Sequence, residues 1–287
     1  MSNNFAVIIL SHGRANNVKT VETLFKSGYT GRYYILVDDE DKDLPAYIKN
    51  FGEEHILVFS KAEAIKTFDI MDNFPGKGVP TYARNMLFVF AEKLNLTYFL
   101  ELEDDYTCFR QRYEDDNGVL RTRYVRDFDS VVDAYIEFLE LSGAVTVAFA
   151  QTGDLIGGKS SKVWKSGLSR KAMNCFFCKT DRPFKYLGRF NDDVNAYIEF
   201  GKRGSLFFTT RDIVMDQPQT QLNEGGITAA YKQYGTYVKS FYSVMLCPSF
   251  VQIYSMGQTH HRVHHVIDWE KAVPKIISSD FKKGETE

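Results

Sequence analysis

Residues 101–105 read Glu-Leu-Glu-Asp-Asp, and this acid cluster directly follows the apolar run Tyr98-Phe99-Leu100. Carboxylates crowded in this way repel one another unless a hard cation or an Arg/Lys cluster sits between them. In open α/β sheets, ligands bind just beyond the carboxyl ends of strands. Glu103, Asp104 and Asp105 are therefore candidates to hold a divalent metal that in turn holds a diphosphate. The plainer alternative is a solvated acidic turn. A second apolar run ends in Val37-Asp38-Asp39, and a third ends in the turn Ser11-His12-Gly13-Arg14. If the three runs are neighbouring parallel strands, their ends converge on one rim carrying two carboxylate groups and a guanidinium. Asp38 and Asp39 would then accept hydrogen bonds from base or ribose, and Arg14 would reach phosphate or base. The glycine-rich dinucleotide pattern and the G-x-x-x-x-G-K-[ST] loop are both absent, which argues against NAD, FAD and ATP. A further acid pair, Asp192-Asp193, stands where a helix begins. Such acids are ordinary N-cap and first-turn residues, and they are also the residue type a general base requires.

The elements that must position these groups read as alternating strands and helices. Phe5–Leu10, Tyr33–Val37, Ile56–Phe59 and Tyr98–Leu102 are short, continuous apolar strands. Helical spacing marks 16–26, 44–51 and 82–93. Residues 69–80, with two prolines and two glycines, are loop-like. This order predicts a parallel sheet with right-handed crossovers. Residues 110–126 are charged and read as a surface hairpin or loop with Asn117-Gly118 at its turn. A helix over 129–141 and a strand over 144–149 follow. After that the alternation stops: 153–170 reads as a flexible or ligand-facing loop, 172–178 as a short strand, 192–202 as a helix closed by Gly204, and 205–210 as a strand. Residues 225–239 read as a helix plus turn, and the remainder is loop-rich. The expectation is one domain over 1–287, with a nucleotide-binding half to about residue 106 and an acceptor half from 107.

Composition narrows the function classes. The apolar fraction of 44% and charged fraction of 25% are those of a globular protein. With 35 basic against 37 acidic residues, any grip on nucleic acid must be local. Cys175-Phe-Phe-Cys178 has no second pair to complete a zinc site, so Cys108, Cys175, Cys178 and Cys247 read as buried free thiols. The polar start Met1-Ser-Asn-Asn and the short apolar runs predict neither signal peptide nor membrane span, hence a cytoplasmic protein.

Taken in order, Ile8-Ile-Leu-Ser-His-Gly-Arg14, Val37-Asp-Asp39, Ala83-Arg84-Asn85, Leu102-Glu-Asp-Asp105 and Asn191-Asp-Asp-Val194 resemble the GT-A glycosyltransferase fold. Within it the chain is most similar to the TET-associated glycosyltransferases of phages and eukaryotes, which include the enzyme that glucosylates hydroxymethyluracil in DNA to make base J. The resemblance covers roughly residues 5–276. It implies an α/β fold with a Rossmann-like, mostly parallel central sheet flanked by helices, and a loop-rich acceptor-side extension. It further implies an inverting, metal-dependent enzyme with a UDP-sugar donor and Mn²⁺ or Mg²⁺. Glu103-Asp104-Asp105 takes the place of the family's D-x-D motif, with Glu for the first Asp. Asp105 is then the foremost metal ligand, with Glu103 and a C-terminal histidine, His261 being chosen from His260, His261, His264 and His265. Ser11, His12, Arg14, Asp38, Asp39, Arg84, Glu103 and Asp104 would contact the donor. Asp193, with Asp192 close behind, would be the general base.

The implied acceptor is the hydroxymethyl group of 5-hydroxymethylcytosine or 5-hydroxymethyluracil in phage DNA. Arginines over 110–126 and lysines over 159–171 would track phosphates, with Trp164 stacking on a base. Three alternatives stay open at this stage: a glycan, lipid or small-molecule acceptor, a non-catalytic nucleotide- or DNA-binding module, and solvated charge runs.

Overall fold

The computed structural model describes residues 4–217, 227–235, 237–256 and 262–274. Phe5-Ala-Val-Ile-Ile-Leu10 has no side chain to offer water, and as β1 (Phe5–Leu10) it is buried throughout. After it come α1 (Lys19–Lys26), β2 (Arg32–Asp38), α2 (Leu44–Phe51), β3 (Ile56–Phe59), α3 (Lys61–Thr67), α4 (Pro80–Lys93) and β4 (Tyr98–Glu103). Strands β3-β2-β1-β4 are adjacent and parallel, and Leu10 lies opposite Leu36 on one side and Glu103 on the other. The three acid- and turn-bearing strand ends therefore share one rim, as expected.

The chain continues through β5 (Cys108–Glu114), β6 (Leu120–Tyr124), α5 (Phe128–Ser142), β7 (Thr146–Gln151), α6 (Lys162–Ser166), β8 (Leu168–Ser169), β9 (Cys175–Lys179), α7 (Asp192–Gly201) and β10 (Phe207–Asp216). These strands extend the same sheet in the order β4-β9-β7-β10-β5-β6, with β8 on β10. Here β10 and β7 are parallel, while the other added pairings are antiparallel. Last come α8 (Thr228–Tyr234), α9 (Val238–Leu246), β11 (Val251–Met256), β12 (Arg262–Ile267) and α10 (Trp269–Ala272). The α/β architecture is the expected one.

Alternation along the strands builds two aromatic layers. On one side of the sheet Phe5, Phe149 and Phe177 pack with Tyr135 and Phe128 of α5. On the other, Phe99 and Phe176 pack with Phe88 of α4, Phe184 and Tyr186. Each such ring contributes about 1.5–3 kcal/mol by leaving water. The second layer surrounds the ionic groups described below.

Three expectations are corrected. The final region is not simply loop-rich: β11 and β12 form an antiparallel ribbon, in which Val251 and Ile253 recur at strand period and Val251 lies opposite Ile267. Residues 153–170 are not an open loop. They carry short helices that close a small core of Ala150, Leu155, Val163, Trp164 and Val214. The helix read from residue 16 starts at Lys19, since Asn17 N–H turns back onto the Arg14 carbonyl.

Gly28, just past α1, has φ +85°, and a Cβ there would lie 2.1 Å from the Arg126 carbonyl oxygen. The hairpin β5–β6 thus returns to α1 at a point only glycine permits. No helix among the described residues is long and apolar enough to cross a membrane.

Candidate active site

At the end of β1 the Ser11 hydroxyl donates to Asp104 Oδ2 at 2.6 Å, and Arg14 Nη1 donates to Asp104 Oδ1 at 2.8 Å. The Tyr47 hydroxyl lies 2.6 Å from Ser11 Oγ and accepts from Arg14 N–H at 3.0 Å. Asp104 is buried and fully engaged by these donors, so it organises the turn. At the end of β2, His12 Nδ1 lies 2.7 Å from Asp38 Oδ2, and Gly13 N–H donates to Asp41 at 2.8 Å. Asp38 is held below the ordinary carboxylate range: burial works to raise it, and the His12 hydrogen bond and charge, with Lys61 and the Glu40 N–H, together outweigh that. His12 is correspondingly raised, first by the Asp38 hydrogen bond. Lys61 lies 3.5 Å from Asp38, and its N–H donates to Asp39 at 2.9 Å. Tyr47, Asp41 and Lys61 are site residues that sequence reasoning missed, although Asp41 stood in the visible run Asp38-Asp-Glu-Asp41.

The second focus is Arg84 of α4. It does not face outward to a donor, as the sequence suggested: it is only 3% exposed. Its Nε donates to Glu101 at 2.9 Å, Nη2 to Glu103 at 2.8 Å and Nη1 to Asp192 at 2.7 Å. Glu101 also accepts from the Tyr186 hydroxyl at 2.6 Å, and Asp192 from Thr81 at 3.2 Å. The guanidinium thus joins the end of β4 to the start of α7. Placement inside a strand was the signal for Glu101, an acid flanked by Leu100 and Leu102.

One cation does not neutralise this cluster. Glu103 is pushed up to about 8, by burial first, with Arg84 opposing and Asp105 adding repulsion. Asp104 and Asp105 are raised as well, again by burial first. Asp192 is raised by burial and by its neighbour Asp193. Asp193 receives no bond from Arg84. It accepts the Val194 N–H at 2.8 Å and keeps more exposure than Asp192, 7% against 4%. Asp193 thus lacks the guanidinium hydrogen bond that holds Asp192.

The acids at the end of β4 are hard oxygen donors whose mutual repulsion Arg84 and Arg14 relieve only in part, the chemistry a divalent cation fits. Among the described residues, no three His, Cys, Asp or Glu side chains converge on a metal position. Protein ligation would therefore come from Asp105 and Glu103, completed by the oxygens of a bound diphosphate. His260 and His261 lie outside the described residues. His265, on β12, reaches the site's edge: its Nδ1 is 3.4 Å from Asn191 Nδ2, beside Asp192, and burial holds its imidazole down at about 4.

On the acceptor side, Trp164 is no stacking platform. It is 5% exposed, donates to Glu114 at 3.1 Å and packs under Arg211. Lys159 and Lys171 are paired with Glu114 and Asp154, and Arg110 with Asp216. The cysteines are free, three of them buried.

The model of a family described as TET-associated glycosyltransferase matches residues 5–226. No curated protein matches the sequence. Among solved structures, glucosyl-3-phosphoglycerate synthase from Mycobacterium tuberculosis in complex with Mg²⁺ and UDP has 10% identity and a TM-score of 0.47, covering 96% of this chain and 89% of that one. S. aureus TarS 1–349 has 9% identity and a TM-score of 0.46, covering 85% of this chain, which spans only 65% of that fragment. The same TarS fragment in complex with UDP-GlcNAc has 8% identity and a TM-score of 0.46, with 85% and 66% covered. At such values the assignment rests on the family match.

Proposed function

The chain belongs to the TET-associated glycosyltransferase family, and from that membership we propose an inverting transfer from a UDP-sugar to the hydroxymethyl group of 5-hydroxymethylcytosine or 5-hydroxymethyluracil in DNA, as a phage DNA modification in the host cytoplasm. The observation that carries the mechanism is the acid excess around Arg84, in which Asp193 has no hydrogen bond from the guanidinium while Asp192 is held by it. Asp193 takes the proton of the acceptor hydroxyl as that oxygen attacks the anomeric carbon. Proton transfer of this kind contributes roughly 10²–10⁴-fold in rate. Asp192, clamped by Arg84 and Thr81, orients the start of α7 and so positions Asp193.

At the other end of the rim, Asp38 and Asp39 receive the nucleoside, with His12 fixing the Asp38 carboxylate. Ser11 and Arg14 shape the turn through Asp104. Asp105 and Glu103 would hold Mn²⁺ or Mg²⁺, which when bound neutralises the diphosphate leaving group. On this reading residues 1–106 serve the donor and 107–287 the acceptor. Incubation with hydroxymethylated and plain DNA and a panel of UDP-sugars, followed by nucleoside mass analysis, tests it. A hexose or pentose increment on the hydroxymethylpyrimidine alone is expected; no increment with any DNA defeats the acceptor assignment.

A further inference from the structure

Two pockets on the α5 side of the sheet meet at Tyr124, Val125 and Arg126. The smaller, about 180 Å³, reaches Thr107 and Cys108, immediately beyond the acids at the end of β4. The larger, about 900 Å³, runs on between α5, β10 and the end of β6. Together they form one path on that side of the sheet, beginning two residues past Asp105 in the chain. Lys26 and Arg126 border its first part, and Arg123 and Arg211 its second. Its acids are Asp127 and Asp212. Asp127 is occupied in capping α5, accepting the Ser130 N–H at 3.0 Å, and Asp212 lies 3.8 Å from Arg211. Lys26 is itself paired with Glu22 at 2.6 Å, so the cations that give the path its basic character are Arg123 and Arg126, in a chain whose net charge is -2. Where the pockets join, Tyr124 is 60% exposed, with the Arg126 guanidinium 5.7 Å from its ring centre. Arg123 stands next in the chain, its guanidinium 5.4 Å from the Tyr113 ring centre, and an exposed ring with cations close by suits a base above and phosphates alongside.

We propose that this two-part groove holds the strand of the acceptor nucleic acid that adjoins the target base. Tyr124 stacks a base, and Arg123 and Arg126 contact phosphates. The assignment rests on the DNA-acceptor reading above. A branched glycan offers no phosphates for these cations, and a mononucleotide fills only one of the two lobes.

The test measures the full chain binding a short fluorescein-labelled single-stranded oligonucleotide across a salt series. Arg123→Glu with Arg126→Glu should weaken binding by more than about tenfold and flatten the log–log salt slope by about 1.4, or ~0.7 for each phosphate no longer neutralised. Tyr124→Ala should weaken it by about fivefold or more, the loss of one stacked base. Lys66→Glu, an exposed reversal outside the groove, should bind as the unaltered chain does. UDP retention and an unshifted melting temperature in each variant establish that the fold is intact. A double reversal with undiminished affinity and slope overturns the groove, as does a mononucleotide that binds as tightly as the oligonucleotide. If the unaltered chain glycosylates hydroxymethylated DNA while the double reversal binds undiminished, the groove alone fails. If it neither binds nor modifies any DNA, the acceptor reading fails with it.

Discussion

Arg84 and Arg189 are both 3% exposed, both lie on the α4–α7 side of the sheet, and they do different work. Arg189 holds Asp72 through two nitrogens at 2.8 and 3.0 Å, with the carbonyls of Phe74 and Gly76 taking further bonds. That is one cation on one acid, and it fastens the loop before α4 against the residues that lead into α7. Arg84 is one cation on three acids, with Asp193 and Asp105 nearby. A neutral pair fixes geometry, whereas an acid excess held in place creates demand for protons and cations. Chemistry gathers where the charge count fails to close.

The sharpest way to break this comparison is at Asp193. Asp193→Asn should slow transfer by about 10²–10⁴-fold while stability holds or rises, because a carboxylate leaves an acid excess. Asp192→Asn should cost less in rate; a reversal of that order in a kcat measurement would exchange the two roles. Next come the arginines themselves. Removing one partner of a buried ion pair costs about 3–5 kcal/mol. Arg84→Met strands three acids and should lie at or beyond the top of that range in urea unfolding. Arg189→Met strands one and should lie near the bottom.

The pH dependence should separate the two sites by sign. Asp192 is raised by burial, so folded protein binds its proton more tightly than unfolded protein and loses stability as pH climbs above the ordinary carboxyl value. Asp192→Asn should therefore gain on the unaltered chain as pH rises. Asp72 is lowered: burial would raise it, but Arg189 and Tyr242 outweigh burial. Its contribution is present above 3.8 and lost as pH falls through the folded value. The deficit of Asp72→Asn should accordingly fade in acid, and melting curves across pH 3–7 will show whether the two variants diverge. The smallest effect belongs to the half-exposed His12–Asp38 pair. His12→Ala should cost under about 1 kcal/mol below pH 6.5, and nothing once the pH passes the raised pKa of His12.

Much of the rim was legible in sequence, because continuous apolar strands ending in Asp38-Asp39 or Glu103-Asp104-Asp105 leave few places for those acids to go. The bounds of α2 and β3 follow directly from helical and strand spacing. What stayed hidden depends on partners distant in the chain. Arg84 in a helix reads as a solvent or ligand contact until Glu101 and Asp192 are brought to it from separate elements. Trp164 reads as a stacking surface because its lysine neighbours are visible and its packing against Leu155 and Val214 is not. The ribbon β11–β12 was obscured by its histidines, which mask a strand period carried by only a few apolar residues.

Gly28 has a consequence for engineering. Since any side chain there would strike the carbonyl of Arg126, a methyl group at residue 28 would lever the hairpin away from α1. It would widen the pocket between Lys26 and Arg126 without altering a charge in its walls. One uncharged position thus sets how closely the end of the hairpin can return to α1.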